Sequence, residues 1–585
     1  MVSIALGLLG GLLASRFARP GARRATGTIN LLLLSLPDLL LIFFVQWGLI
    51  KLGQATGLNL LPPYGDWRGG LTLRAAVLPV LMLSLFPAAY LARIAAAAFD
   101  GVFRTDYIRT ARAKGVPDRT VTWGHAFRNA IIPILAAMPA VTGIMISNLV
   151  IVEYAMNILG VGWWMAWQVV IPAKPSIVVQ YPSPNIIASV TICLAAVFVV
   201  VDTVVDLILL RLDPRVRTAR QETDAELAAA VMEHGPRPSL GERLSDLWQA
   251  LAETITSIRL PGRETWHRIA RSYRDNLPLT LGTIIVGGLV FVAIFAPLLT
   301  ARGPEEGVAM ITLKDGSFKV PPFPPGTPTL PLGTDINGRD VWSRVVYGAR
   351  YTLLITCLIV PLRMLIGVPL GLAAGWLRGR WESFVTWSAT ALGAIPAVIV
   401  QVALILAIFS PPRPGSVVNP GGNEPGPFLV LFINCLVLVI MGWPRLAETV
   451  RLMSRELAAR PFVEGARAVG AGPARVMIRH ILPHLGPTLA VAAAAEAAWV
   501  MMLLVHIGVF GAWLGGAGAL ERNRMIGQGL ISRIPDWSQM LAFPVKSLWF
   551  TPWVLLAPAV AFVIAILGFN LLAEGIRRAE QRFSA

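Results

Sequence analysis

Long apolar runs dominate the chain, separated by short stretches in which arginine, lysine, glycine and proline collect. Runs over 29–51, 71–95, 131–152, 185–210, 277–300, 352–376, 384–409, 428–447, 485–510 and 549–573 each approach or exceed the roughly 20 helical residues needed to cross a hydrocarbon core of about 30 Å. The pattern predicts ten membrane-spanning helices. Ala5 to Ala14 is also apolar but too short to cross. It lacks a basic flank before it and is followed by arginines rather than a small-residue cleavage site, so it does not read as a signal peptide.

The basic residues orient these runs. Arg16, Arg19, Arg23 and Arg24 precede the first, and Arg104, Arg109, Arg112, Lys114, Arg119 and Arg128 lie between the second and third. Arg378 and Arg380, the arginines from Arg451 to Arg479, and Arg577, Arg578 and Arg582 fall on the same side, which the positive-inside bias makes cytoplasmic. The opposite loops, LNLLPPYGDWRGG, NPGGNEPGP and the stretch from Ala301 to Leu332, are rich in Pro and Gly and read as extracytoplasmic turns. Arg339, Arg344 and Arg350 are exceptions on that outer side, partly balanced by Asp335 and Asp340. From Asp213 to Asn276 the chain turns polar, with Arg, Asp and Glu interspersed, and reads as a cytoplasmic linker. It joins a run that ends in the cytoplasm to one that starts there. The two halves therefore run in the same sense, as parallel rather than inverted repeats.

Composition agrees: 55% of the 585 residues are hydrophobic and 14% are charged, with a mean hydropathy of +0.65, which excludes an ordinary soluble protein. A net charge of +17 is compatible with nucleic-acid binding, but Lys and Arg sit in short loops beside apolar runs rather than on one soluble face. Cys193, Cys357 and Cys435 lie inside apolar runs without metal-ligand spacing and read as packing residues. No glycine-rich loop ending in Gly-Lys-Ser/Thr is present to cradle nucleotide phosphates, so this chain carries no ATP site of that kind.

One polar segment occurs twice. DYIRTARAKGVPDRTVTWGHAFRN, from Asp106 to Asn129, is repeated as PFVEGARAVGAGPARVMIRHILPH, from Pro461 to His484, with 106 pairing with 461. Ala111, Arg112, Ala113, Gly115, Val121 and His125 thereby meet Ala466, Arg467, Ala468, Gly470, Val476 and His480. A duplicated basic segment between spans indicates two homologous halves that offer one kind of surface to a cytoplasmic partner. The histidines at its ends read as capping or packing groups.

The second copy, Glu464-Gly465-Ala466, then Gly470, then Leu482-Pro483, resembles the cytoplasmic loop signature of ABC importer permeases, Glu-Ala-Ala followed by Gly and Leu-Pro. The first copy, Arg109-Thr110-Ala111 and Gly115 with Arg128-Asn129, resembles the variant in one of the two permeases of the dipeptide, oligopeptide and nickel importers. LDPRVR, from Leu212 to Arg217, resembles the end of that first permease type. PLGTDINGRDVWSRVVYGAR, from Pro331 to Arg350, resembles the loop after the first span of the second type, and PDWSQML with GFNLLAEGIR its end. The chain looks like both permeases fused.

The resemblance implies an all-α integral membrane protein with the type I ABC importer transmembrane fold in two parallel homologous halves. It implies a first permease half over 1–212, N-terminally short, a linker over 213–276 and a second half over 277–585. The first half begins late relative to the family, which implies either a longer chain begun upstream or a shortened half. In the family each repeated segment forms a short helix across the membrane surface that enters a groove on an ATPase. The implied coupling residues are Arg109, Ala111, Arg112, Ala113 and Gly115 in one copy, and Glu464, Gly465, Ala466, Arg467, Ala468 and Gly470 in the other. The alanines keep a narrow profile, the glycines permit a tight exit, and Arg112 and Arg467 would meet acidic partner groups or lipid headgroups. Implied partners are two ABC ATPase subunits, which would bind the ATP and Mg, an extracytoplasmic solute-binding protein, and membrane lipid. No cofactor is expected on this chain, and the implied setting is the bacterial or archaeal inner membrane. The solute would be a dipeptide, oligopeptide or related compound.

Ionisable groups inside spans are costly and often functional. Asp38, beside Pro37 in mid-span, Arg363 and Glu496 are candidates for the translocation path, with His506 near an outer end. They could instead pair across the halves, Arg363 with Glu496 in particular. Asp202 and Asp206, near a cytoplasmic end, read as interfacial. Two other functions stay open on sequence: an ion-coupled secondary transporter that titrates Glu496 or Asp38, and a non-transporting membrane scaffold.

Overall fold

The computed structural model describes residues 2–15, 20–57, 61–62, 72–163, 184–212, 273–312, 318–377, 379–393, 400, 427–509, 517–523, 527–532, 535–541 and 547–583. Its first part contains α1 (Val2–Ala14), α2 (Pro20–Ser35), α3 (Asp38–Thr56), α4 (Leu73–Phe103), α5 (Asp106–Ala113), α6 (Phe127–Ala136), α7 (Met138–Ala155) and α8 (Pro184–Leu212). Then follow α9 (Leu277–Leu299), α10 (Val341–Leu377), α11 (Arg380–Gly393), α12 (Pro427–Ala458), α13 (Pro461–Ala468), α14 (Leu482–Val509) and α15 (Pro552–Phe583). The β-strands among the described residues pair as two small antiparallel units, Ile311–Thr312 with Phe318–Lys319 and Ala517–Asn523 with Gly527–Ser532, beside isolated bridges such as Thr334 with Asp340.

Among the described residues nine helices are long and apolar enough to cross a membrane. Two of the ten expected spans are shaped differently. The run 29–51 is interrupted: α2 stops at Ser35, Pro37 is extended with ψ of 133°, and α3 starts at Asp38. Proline lacks an N–H and its ring disfavours helical geometry at the preceding Leu36, and here the helix breaks at it. Asp38 is therefore in the first turn of α3 and not in mid-helix. The run 131–152 divides at Ala137, with Pro139 in the first turn of α7, where a missing N–H costs nothing. The expected span 384–409 is represented by α11; 394–399 and 401–409 lie outside the described residues, as does most of the linker, 213–272.

Ile4, Leu8 and Leu12 of α1 pack against Leu91, Ala95 and Phe99 of α4, so the short N-terminal run lines a longer helix. The largest core draws on both parts of the chain. Leu39 and Phe43 of α3 and Val150 of α7 share it with Ile359 of α10, Leu438 of α12, Leu504 of α14 and Phe562 of α15. In lipid such cohesion comes from close packing and buried polar contacts rather than from water exclusion. Cys435 is in this core, whereas Cys193 and Cys357, expected to pack inside, lie on exposed faces.

Candidate functional site

The repeated segments adopt the same structure element by element. α4 ends at Phe103 and α12 at the corresponding Ala458; α5 and α13 are both eight-residue helices; one π-helical turn follows each, Val121–Ala126 and Val476–Ile481, leading into α6 and α14. Each short helix ends the same way. Val116 N–H donates to the Ala111 carbonyl at 3.2 Å, and Ala471 N–H to that of Ala466 at 3.1 Å, six-to-one bonds closed over a left-handed glycine. Gly115 has φ of 76° and Gly470 of 85°. A side chain in this conformation costs roughly 1–2 kcal/mol, which is why glycine ends both helices.

The face each helix buries is also shared. Ile108 and Val463 are fully buried, and Ala111 and Ala466, one turn on, pack half-buried beside them against Val121 and Val476. Ala111 and Ala466, implied as coupling residues, are turned partly inward by the three-residue spacing from Ile108 and Val463. Arg109, Arg112, Ala113, Glu464, Gly465, Arg467 and Ala468 are exposed, and the space beside Gly465 is open. Arg112 and Arg467 are turned toward their own chain. Arg112 meets Asp118 at 3.3 Å, and Arg467 stacks 4.2 Å above the Trp376 ring at the end of α10. A second pair of positions pins each helix to the next. Asn129 donates to the Tyr107 hydroxyl at 2.6 Å in one copy, and in the other Phe462 stacks on His484 at 4.6 Å. Sequence comparison missed this pairing because the two solutions are chemically unlike.

Inside the spans, Arg363 of α10 and Glu496 of α14 are joined. Arg363 Nη1 donates to Glu496 Oε2 at 2.8 Å, while its Nε and Nη2 both donate to the Leu438 carbonyl, at 3.0 and 2.5 Å. Gly442 makes room for the guanidinium: a Cβ there would lie 2.1 Å from Arg363 Cζ. Arg445 of α12, not singled out by sequence, donates to Glu496 Oε1 at 2.7 Å and lies 4.4 Å above the Trp499 ring. The cluster belongs to the second repeat rather than bridging the halves. Asp38 does bridge them: its Oδ1 is 2.7 Å from His506 Nε2 at the far end of α14, and both side chains are buried. Asn570 Nδ2, on α15, donates to Ser35 Oγ nearby in the chain at 3.1 Å. At the opposite, cytoplasmic end a cavity of about 480 Å³ opens between the repeats, lined by Ala136, Pro139, Asp202, Asp206, Thr386 and Glu448 among others. Asp202 and Asp206, expected at an interface, face this space.

The outer arginines that ran against the positive-inside bias are all engaged, Arg339 and Arg344 by carboxylates and Arg350 by backbone carbonyls. Asp335 accepts from Arg339 Nε at 2.8 Å and from Arg344 Nη1 at 3.2 Å, Arg344 Nη2 donates to Gln539, and Arg350 donates to the carbonyls of Ala293 and Ile294. Trp537 Nε1 donates to the Val345 carbonyl at 2.7 Å. Two distant stretches, 331–350 and 535–541, are thus one knot. Asp536 is buried within it, capping Ser538 and Gln539; burial pushes its carboxyl up, against the opposing pull of those hydrogen bonds.

Comparison with known proteins yields one family. Residues 7–218 and 367–582 each match the binding-protein-dependent transport system inner membrane component family. The dipeptide transport system permease of Alkalihalophilus pseudofirmus is 27% identical over 317 residues, 54% of this chain and 88% of that protein. The oligopeptide transport system permease of Bacillus subtilis is 26% identical over 54% of this chain and 88% of that protein. A glutathione transport system permease of Salmonella paratyphi A is 30% identical over 55% and 90%. Each relative covers about half of this chain while the family segment occurs in it twice, as expected of two fused permeases. The chain belongs to the binding-protein-dependent transport system inner membrane components, as a multi-pass ABC importer permease that carries the family's fold twice.

Proposed function

We propose that this one chain supplies both sides of a translocation path for short peptides or related solutes, with a first unit over 1–212, a linker over 213–276 and a second unit over 277–585. α5 and α13 each dock one ATPase subunit. ATP and Mg are bound and hydrolysed on those subunits, and an extracytoplasmic solute-binding protein delivers the cargo. The observation that carries this reading is the duplicated cytoplasmic helix: two equal elements, each with an exposed face of small and charged residues, suit two equal partners. The peptide class is supported by the functions of the relatives, dipeptide, oligopeptide and glutathione transport. The described arrangement corresponds to an inward-facing state, since Asp38 and His506 join the repeats toward the outer end while the cavity opens at the cytoplasmic end. His506 lies 25 residues beyond Ile481, roughly 37 Å along a helix.

Exposed alanines on the short helices test the docking. Ala113→Trp and Ala468→Trp add a ring on the outward face without entering the chain's own packing, so membrane levels should be unchanged, and ATPase co-purification and labelled-peptide uptake should fall together. Uptake at the wild-type level with both substitutions present would contradict the assignment. Ala466→Trp is a poorer probe, because it would first overpack the cluster around Val463.

A further inference from the structure

The buried cluster around Glu496 is not electrically balanced. Arg363 and Arg445 bring two positive charges and Glu496 one negative charge, leaving a net charge of +1 inside a membrane span. The neighbouring cluster cannot supply the missing anion. Glu448 and Glu382 are bonded to Arg451, and Glu382 also to Arg455, two carboxylates against two guanidinium groups. Arg363 is fully buried and bonded at each of its three nitrogens by Glu496 and Leu438, so the excess charge is presented by Arg445, whose side chain is 54% exposed. Its hydrogen bond to Glu496 uses Nη2. Among the described residues Nε and Nη1 make no hydrogen bond, and either of them, together with the second Nη2 proton, can grip a carboxylate through two parallel bonds.

Arg445 stands one helical turn from the cavity between the repeats. Arg445 reaches Glu496 on α14, while Glu448, one turn further along α12, accepts from Thr386 on α11 and lines the cavity between the repeats. Glu448 shares that cavity with Ala136 and Asp202 of the first repeat. Trp499 holds the guanidinium plane from below, which fixes its direction as Glu496 fixes its position.

We propose that Arg445 is a carboxylate-binding subsite of the translocation path, taking the terminal carboxylate of the transported solute, with Glu496 and Trp499 as its positioning residues. The proposal rests on the peptide-import reading but adds to it: the favoured cargo carries a free carboxylate, which compensates the +1 cluster during passage. The bond is a charge-assisted hydrogen bond, and no covalent step is involved.

Footprinting with phenylglyoxal, an arginine-selective reagent, tests it on the assembled complex of this chain with its ATPases, read at Arg445 by peptide mass mapping. Arg445 should be modified in the probe-free complex. Millimolar trialanine should slow that modification at least threefold, and trialanine amide should not. An Arg445 that is inert without probe, or is protected equally by both peptides or by neither, overturns the subsite. Uptake of labelled trialanine is measured in parallel. Protection without uptake counts against the peptide-import reading alone, and uptake without protection against the subsite alone. Among variants, Arg445→Gln should lower trialanine uptake at least tenfold and Arg445→Lys should restore part of it; equal uptake by Arg445→Gln and wild type would also overturn the subsite.

Discussion

Removing the carboxylate between the two intramembrane arginines should separate a buried charge from an exposed one. Glu496→Gln keeps the shape of the side chain and deletes its charge. Arg363 then stays buried at 0% exposure, with two bonds to the Leu438 carbonyl but no anion. Taking one partner from a buried ion pair costs about 3–5 kcal/mol, chiefly through the charge left behind. The Leu438 carbonyl, already accepting two charge-assisted bonds, holds the expected cost near the lower figure, about 3 kcal/mol. Arg445→Gln removes the half-exposed partner, and water screens what remains, so its cost should stay below about 1 kcal/mol. Arg363→Met combined with Glu496→Gln removes both members of the buried pair and should be milder than Glu496→Gln alone by about 2 kcal/mol. Unfolding midpoints of the four proteins in nanodiscs, followed by tryptophan fluorescence, give the order directly. A Glu496→Gln protein as stable as Arg445→Gln would refute the reasoning, because it would mean that Arg363 does not depend on this carboxylate.

Three further outcomes follow from the geometry. Gly115→Val or Gly470→Val places a branched side chain at positive φ, which should cost roughly 1–2 kcal/mol locally and reduce ATPase co-purification while leaving membrane insertion intact; unchanged co-purification counts against the shared helix exit. Asp38→Leu leaves His506 buried without its partner, at about 1–3 kcal/mol. When the chain is split within the linker, the two co-expressed pieces should then co-purify less well, and equal recovery would argue against the inter-repeat bond. For Asp536, burial favours the neutral carboxyl in the folded outer knot. That contribution is complete below the unfolded value near 3.8 and is lost as pH rises through the elevated folded value. Asp536→Asn, which is neutral at every pH and keeps an acceptor, should therefore raise the unfolding midpoint at pH 8, with the gain vanishing toward pH 4; a lower midpoint at pH 8 would contradict this.

The duplicated segments were legible in the sequence because their residues are set by an exposed helix and a left-handed exit, local features that keep glycine at 115 and 470. The inward turn of Ala111 and Ala466 was not, since it depends on which neighbours, Ile108 and Val463, find a core to enter. Leu36-Pro37-Asp38 carried the break between α2 and α3 in plain view, but a long apolar run masked it. Pairing of Arg363 with Glu496 could be suspected from the cost of two charges in lipid. Arg445 could not, because it stands where the apolar run gives way to the arginines and glutamates of the cytoplasmic end, and only Glu496 and Trp499 set it apart. Asp38 and His506 are far apart in the chain, and no local pattern joins them.

The central claim is that one copy of this chain provides both permease units and so serves two ATPases. Native mass spectrometry of the complex, released from detergent after purification through a tag on the permease, measures that stoichiometry. The expected mass is one 63.1 kDa chain with two ATPase subunits, and no ATPase activity should remain once those subunits are stripped away. A mass containing two copies of this chain would contradict the account, because each copy would then be supplying only one side of the path.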